Sequence, residues 1–132
     1  MFKNEQPTAA VPGGSAFNGL ISLGRAGLDV TFISEVGNDR VGKNILNFMK
    51  ENGVNSKHVC VYPESKSPIS LAFLNEKNDA EYEFYKDYPN LRLDVELPEV
   101  NADDIVMFGS FYAVSPLLRD KMKELLDKAR DK

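Results

Sequence analysis

Residues Pro12 to Gly42 read PGGSAFNGLISLGRAGLDVTFISEVGNDRVG, and the pattern of this stretch decides the fold. From Ala16 to Ala26, Phe17, Leu20, Ile21 and Gly24 recur at helical spacing, which predicts a helix with one face on a sheet, stopped by Gly27. Val30 to Val36 is β-branched and apolar on both faces in its first half, as a strand between two helix layers is. Asp39 can cap a second helix in which Val41, Ile45, Phe48, Met49 and Asn52 line one side and Gly53 ends the run. Helix, strand, helix is half of a parallel α/β layer.

At the head of this unit, Gly13 and Gly14 let backbone come close to a ligand, because they lack a Cβ and tolerate positive φ. A helix beginning near Ser15 aims its unpaired N–H groups at whatever sits above it. Asn18 adds a carboxamide that both donates and accepts, which suits a neutral, hydroxyl-rich ligand better than a phosphate. No Lys or Arg lies between Gly13 and Asn18 to hold an anion. In isolation the same residues read as a turn and a helix cap. The context beyond Asn18 weighs toward a site.

Further along, three short extended stretches follow without a helical pattern between them: His58 to Tyr62, Ile69 to Leu74 and Ala80 to Lys86. The last two flank the turn-forming tract Asn75 to Asp79, so the three read as an antiparallel ribbon, a lid or a dimer clasp. Parity puts Ser70, Ala72 and Leu74 on one face of it, with Tyr82, Phe84 and Lys86 alternating against Glu81, Glu83 and Tyr85. Pro89 and Pro98 mark a connection from Asp87 to Ala102 back to the main layer. Ile105 to Phe108 then reads as a buried parallel strand with Gly109-Ser110 at its carboxyl end, where ligands collect in open α/β sheets. Ser115-Pro116 starts a last helix, with Leu118, Met122, Leu125, Leu126 and Ala129 on its buried face.

Composition fits one globular domain: 132 residues, 42% hydrophobic and 27% charged. A net charge of −4 with interspersed signs gives no basic field, which argues against nucleic acid as a partner. Apolar runs break within a few residues, so no membrane-spanning helix is expected, and Met1 to Glu5 carries no apolar signal region. Cys60 is the single cysteine; no internal disulfide can form, and a reducing cytoplasm is the expected location.

Several rival motifs weaken on inspection. Gly37 to Asn44, GNDRVGKN, is one residue short of a phosphate-binding G-x-x-x-x-G-K-[ST] loop. Asn44 lacks the hydroxyl for magnesium, Asp39 puts negative charge in the cradle, and Val41 is bulky against it, so capping by Asp39 is the better reading. His58 and Cys60 share a strand face, but a metal needs more ligands and no second His or Cys exists. Asp103-Asp104, Glu81 and Glu83 read as solvated charge at turns and strand edges. The aromatics Tyr82, Phe84, Tyr85 and Tyr88 lack the interleaved Lys/Arg of a single-strand binder and suit sugar-ring packing or a dimer interface.

The segment as a whole resembles the amino-terminal signature of the ribokinase-like carbohydrate kinases, a family that includes fructokinases. Gly13, Gly14, Ala16, Asn18, Gly27 and Gly37 fall in place, while Leu20 stands where the family prefers a small residue. The likeness continues through Leu23 to Gly27, Val36 to Asp39, Asn52 to Val54, Leu71 to Leu74, Tyr82 to Tyr85 and Ile105 to Ser110.

The resemblance implies an α/β, ribokinase-like three-layer αβα core, partial, with a small antiparallel β lid. Residues 1–132 would form the sugar-binding part of one such domain, with lid strands roughly over 58–86. It implies substrate contacts from Gly13, Gly14 and Asn18, and from Ser70, Ala72 and Phe84 on the lid face. Family members begin with a core strand ending in a sugar-binding Asp, and carry an anion hole, catalytic Asp and ATP pocket in a carboxy-terminal half. Nothing before Gly13 reads as that strand and the chain stops at Lys132, so a kinase cut at both ends is expected, with no catalytic, cofactor-binding or metal-ligating residue of its own. ATP and Mg2+ would serve the intact enzyme in phosphorylating fructose or a similar ketose, with a homodimer formed through the lid. The alternatives are a non-catalytic sugar-binding or dimerisation module, and a nucleotide-binding loop protein acting through Gly37 to Lys43.

Overall fold

The computed structural model describes residues 1–132 except Glu5, Asn90 and Leu91, together with all side chains but theirs and those of Ser110 and Phe111. Helix α1 spans Ser15–Arg25 and α2 spans Arg40–Glu51. Between and after them lie β3 (Val30–Thr31), β4 (Ser34–Gly37), β5 (Val54–Asn55) and β6 (Val59–Tyr62). β3 pairs parallel with β5, and β4 parallel with β6. These strands form the core layer. Two short strands precede them, β1 (Phe2–Lys3) and β2 (Gln6–Pro7), and a long antiparallel pair follows, β7 (Lys66–Leu74) and β8 (Ala80–Asp87). The short helix α3 (Ser110–Ala113), a 3-10 turn at Pro116–Leu118 and α4 (Arg119–Arg130) complete the described elements.

Both faces of the parallel layer are covered, as a parallel sheet requires. On one face Phe17 and Ile21 of α1 and Met49 of α2 pack with Val30, Val36, Val54 and Val59. On the other, Leu97, Val100 and Leu125 gather Ile33, Val106 and Ala129. Each such apolar side chain contributes about 1.5–3 kcal/mol when fully buried. The carboxyl ends of α1 and α2 are clamped together: Arg25 Nε donates to Asn52 Oδ1 (2.5 Å) and Asn52 Nδ2 to the Phe48 carbonyl (2.6 Å). A Cβ on Gly24 would lie 2.4 Å from the Asn52 carbonyl oxygen, so only glycine allows this approach.

Three expectations are corrected. The strand over Val30 to Val36 is broken into β3 and β4, because its partner makes a turn: Asn55 Oδ1 accepts from the Lys57 amide and the Val59 amide donates to the Ser56 carbonyl. Pairing shifts from Thr31 opposite Asn55 to Ser34 opposite Val59, one extra residue on the partner side. His58 to Tyr62 is not the first ribbon strand, since Val59–Tyr62 pairs parallel with β4 inside the core. Its apolar alternation serves the layer beneath it.

Ile105 to Phe108 is not a buried strand. The run pairs with no strand among the described residues, Ile105 is 94% exposed, and Met107 and Phe108 are half exposed. An apolar sequence becomes a strand only with a neighbouring edge to take its backbone hydrogen bonds. Val106 packs inward, and the Met107 methyl lies beside Gly19 of α1.

The ribbon itself matches its reading. β7 and β8 pair with Ser70 opposite Phe84 and Ala72 opposite Tyr82, and the turn is held by Asn75 Oδ1 accepting from the amides of Lys77 and Asp79. Against β7's other edge lies β1, parallel, with Phe2 stacked on Phe73 at 5.2 Å, and β2 outside it. The amino terminus therefore joins the ribbon sheet, not the core.

Candidate functional site

α1 runs antiparallel to the strands it covers. Gly24 sits over Val30 and Val54 at their start, whereas Phe17 reaches Phe32 further along. The amino termini of both helices thus return to the carboxyl edge of the parallel strands, the ligand edge of such layers. The two helix starts differ in one respect. α2 is capped by Asp39, whose Oδ1 accepts from the Gly42 amide at 2.7 Å. α1 has Gly14 at its cap position with no side-chain cap.

Gly14 adopts φ 131°, a left-handed-side conformation that a side chain resists. Its carbonyl accepts from the Asn18 amide at 2.8 Å, and the Ser22 hydroxyl donates to the Asn18 carbonyl. The Asn18 side chain is exposed and makes no hydrogen bond among the described residues. Gly13 and Gly14 are exposed as well. The first-turn amides of α1 and one carboxamide are therefore open on the same helix end.

The ribbon positions form a second group. Ser70, Ala72 and Phe84 share one face with Tyr82, as pairing of Ser70 with Phe84 and Ala72 with Tyr82 requires. Ala72 is buried, whereas Ser70 is exposed and the Phe84 ring, 63% exposed, stacks on Tyr82 at 6.1 Å between centroids. Tyr85 lies on the opposite face and donates to Glu83, and that bond, followed by the Glu83 charge, raises the Tyr85 pKa. The four aromatics are thus not one cluster. Tyr88 belongs elsewhere, under the Arg92 guanidinium at 3.8 Å.

A hollow of about 260 Å³ opens at the ribbon root, lined by Lys66, Ser67, Ile69, Tyr85, Lys86 and Asp87. A shallower one of about 510 Å³ runs along the second half of α2 and β5. None of Gly13, Gly14, Asn18, Ser70, Ala72 and Phe84 lines either, and no hydrogen bond among the described residues joins the helix-end group to the ribbon group.

The nucleotide-loop reading of Gly37 to Lys43 meets a closed loop. The Gly37 amide donates to Ser67 Oγ, Asn38 to the Tyr62 carbonyl, Gly42 to Asp39 Oδ1 and Lys43 to the Asp39 carbonyl. The Asp39 carboxylate itself takes the place at this helix start that a phosphate would need. His58 and Cys60 are likewise engaged, the ring Nδ1 donating to the Glu96 carbonyl at 2.6 Å and the thiol to the Asp94 carbonyl at 3.2 Å. Burial pushes the Cys60 thiol pKa up. Among the described residues no group of three His, Cys, Asp or Glu side chains is placed to hold a metal.

Two polar knots went unread in the sequence. Glu35 and Arg92 form a buried ion pair, with Tyr62 Oη and the Leu93 amide both donating to Glu35 Oε2 at 2.8 Å. Burial first, and the bond to Glu35 second, push the Tyr62 pKa up. Ser67 donates to Asp39 twice, amide to Oδ2 and hydroxyl to Oδ1, each at 2.8 Å. Burial alone would raise the Asp39 pKa, but these donors, the Gly42 amide and the Lys66 charge outweigh it and lower it. The signal available in the sequence was Glu35 itself, a carboxylate inside a core strand that demands a partner.

Comparison with known proteins adds the following. The pattern of the pfkB family carbohydrate kinases matches residues 3–132. The chain is 27% identical over 125 residues to "Probable fructokinase-5" of Arabidopsis thaliana, covering 91% of this chain and 38% of that protein. It is 35% identical over 77 residues to 5-dehydro-2-deoxygluconokinase of Geobacillus kaustophilus, covering 57% and 23%. An uncharacterized sugar kinase of Pyrococcus horikoshii, solved in complex with ATP, superposes with a TM-score of 0.52 at 25% identity over 57% of this chain and 24% of that one. The chain thus spans about two fifths of the fructokinase it matches along most of its own length.

Proposed function

This chain belongs to the pfkB family of carbohydrate kinases, and from that premise we propose that it is the sugar-binding, lid-bearing part of an ATP-dependent kinase acting on fructose or a similar ketose. The observation that carries the reading is the uncapped start of α1, where Gly14 holds a positive φ and Asn18 keeps its carboxamide open. Backbone amides and a carboxamide are donors and acceptors matched to hydroxyls, and they bring no net charge. Gly13 and Gly14 admit the ligand close to the backbone, Asn18 orients a hydroxyl, and the Ser70, Ala72 and Phe84 face of the ribbon covers the ring and excludes water.

In the whole kinase, Mg-ATP would supply the γ-phosphoryl group that a sugar hydroxyl attacks as ADP leaves, the hydroxyl proton passing to a general base. We assign neither the base nor the ATP contacts to a residue of this chain. Phosphoryl transfer needs both halves of such a site in position, so residues 1–132 alone bind sugar without turning it over. A reducing cytoplasm suits the single, inert Cys60.

Calorimetric titration of the chain with fructose, beside an ATP-coupled assay, tests the proposal. Saturable sugar binding without turnover supports it; absence of binding to fructose and related ketoses overturns it.

A second reading rests on the ribbon. All eight residues of β8 are exposed and its outer edge is unpaired among the described strands, with Tyr82 and Phe84 presented beside it. Such an edge invites a second copy, which would make the ribbon a dimer clasp as well as a lid.

A further inference from the structure

We propose that the ribbon is an arm whose angle over the helix-end site is set at its two roots by one stretch of core backbone, Glu35 to Asp39, with Ser67 and Arg92 as the positioning residues. The inference rests on the ribbon being the sugar-covering face.

β8 gives no purchase along its length, since every residue of it is exposed. The orientation of the pair therefore rests on β7, whose buried residues are Ser67 at its start and Ala72 in its outer half beside β1, and on the points where the chain joins the core. At the incoming root, backbone at Ser65 and Ser67 lies so close to Gly37 that a Cβ there would sit 2.3 Å from the Ser65 carbonyl oxygen and 2.6 Å from the Ser67 amide nitrogen. Ser67 is buried, accepts from the Gly37 amide at 3.0 Å and gives both its hydrogens to the Asp39 carboxylate. The register irregularity between Lys66 and Ile69, one extra residue on β7, falls at this knot, where a bulge bends a strand.

At the outgoing root, Arg92 pairs with Glu35 two residues before Gly37 on the same strand, its guanidinium capped by the Tyr88 ring. The connection then descends beside β6 on side-chain ties: Asp94 to Tyr62 and Cys60, Glu96 to His58. Asp39 also caps α2 through the Gly42 amide, a bond that does not involve Ser67, so the incoming root is tied to the start of that helix. Both roots answer to the same few residues of core.

The test is amide hydrogen exchange on the full chain in Ser67→Ala, with Ser67→Thr as the conservative variant that keeps the hydroxyl. The expected result is exchange about tenfold faster across 66–74 and 80–87 in Ser67→Ala, unchanged rates in 15–25 and 40–51, and recovery in Ser67→Thr. Equal acceleration in ribbon and helices, or none in the ribbon, overturns the proposal. Arg92→Lys, which keeps the charge and loses the fork, should give the same ribbon-only pattern from the other root. These readouts need no ligand, so a chain that fails to bind fructose would sink the sugar reading and leave this one standing or falling separately.

Discussion

Glu35 and Arg92 meet as a fully enclosed ion pair, their side chains 4% and 5% exposed, and they join core strand β4 to the connection that leaves the ribbon. Leaving one charge of such a pair behind is costly, about 3–5 kcal/mol, because the survivor stays out of water without a partner. Arg92→Met is therefore expected to lower unfolding free energy by about 3 kcal/mol. The double variant Glu35→Gln/Arg92→Met keeps an acceptor for Tyr62 and Leu93 and strands no charge, so it should be more stable than Arg92→Met alone. Urea denaturation of the two variants decides it. A double variant no more stable than the single one would contradict the account.

Asp39 supports two elements with one carboxylate, so Asp39→Ala should cost more than a helix cap alone, about 2–3 kcal/mol. Its native pKa is lowered, so the stability it contributes is fully present above the unfolded value near 3.8 and is lost as pH falls through the lower native value. Thermal melts taken from neutral pH to well below 3.8 should show an acid limb that is shallower in Asp39→Asn. An acid limb of the same steepness in both proteins would remove Asp39 from the explanation.

Much of this architecture was legible because it is local. The periodicity of Phe17, Leu20 and Ile21 gave α1, Asp39 gave the α2 cap, and Asn75 to Asp79 gave the ribbon turn, all from neighbours in sequence. What failed was long-range. Ile105 to Phe108 has the composition of a core strand, but composition does not supply a pairing edge. Val59–Tyr62 looked like its ribbon neighbours because parallel and antiparallel strands share their alternation. The start of α1 beside Gly14 and the common face of Ser70, Ala72 and Phe84 could be read, whereas the ties made by Ser67 and Arg92 could not. Their partners lie 28 and 57 positions away, and only the fold brings them together.

Two adjacent glycines should respond differently to the same change. A methyl group on Gly13 would meet nothing within 4 Å, and the residue has no positive φ, so Gly13→Ala should leave the melting temperature unchanged. Gly14 holds φ 131°, and alanine there should cost about 1–3 kcal/mol of strain. Gly24→Ala should also destabilise, by about 1–3 kcal/mol, as its methyl group would strike the Asn52 carbonyl and Val54. Equal melting temperatures for the Gly13 and Gly14 variants would show that the bend relaxes freely, and would remove the claim that its shape is built in.

Asn18 and Phe84 offer the sharpest separation of binding from folding. Asn18 is exposed on a helix and unbonded through its side chain, and alanine is the better helix former by about 0.5 kcal/mol or a little more, so Asn18→Ala should be as stable as the parent or slightly more so. Phe84→Ala gives up an exposed ring and its stacking on Tyr82, worth about 0.5–1.5 kcal/mol. If the α1 end holds a hydroxyl and the ribbon face covers a ring, fructose affinity should fall about tenfold in Asn18→Ala despite undiminished stability, the loss of roughly one hydrogen bond. Phe84→Ala should weaken it too, through lost ring contact. Calorimetric titration paired with thermal melts reads both quantities on each variant. A drop in stability without a drop in affinity for Asn18→Ala would make that carboxamide a structural group and remove it from recognition of a neutral polyol.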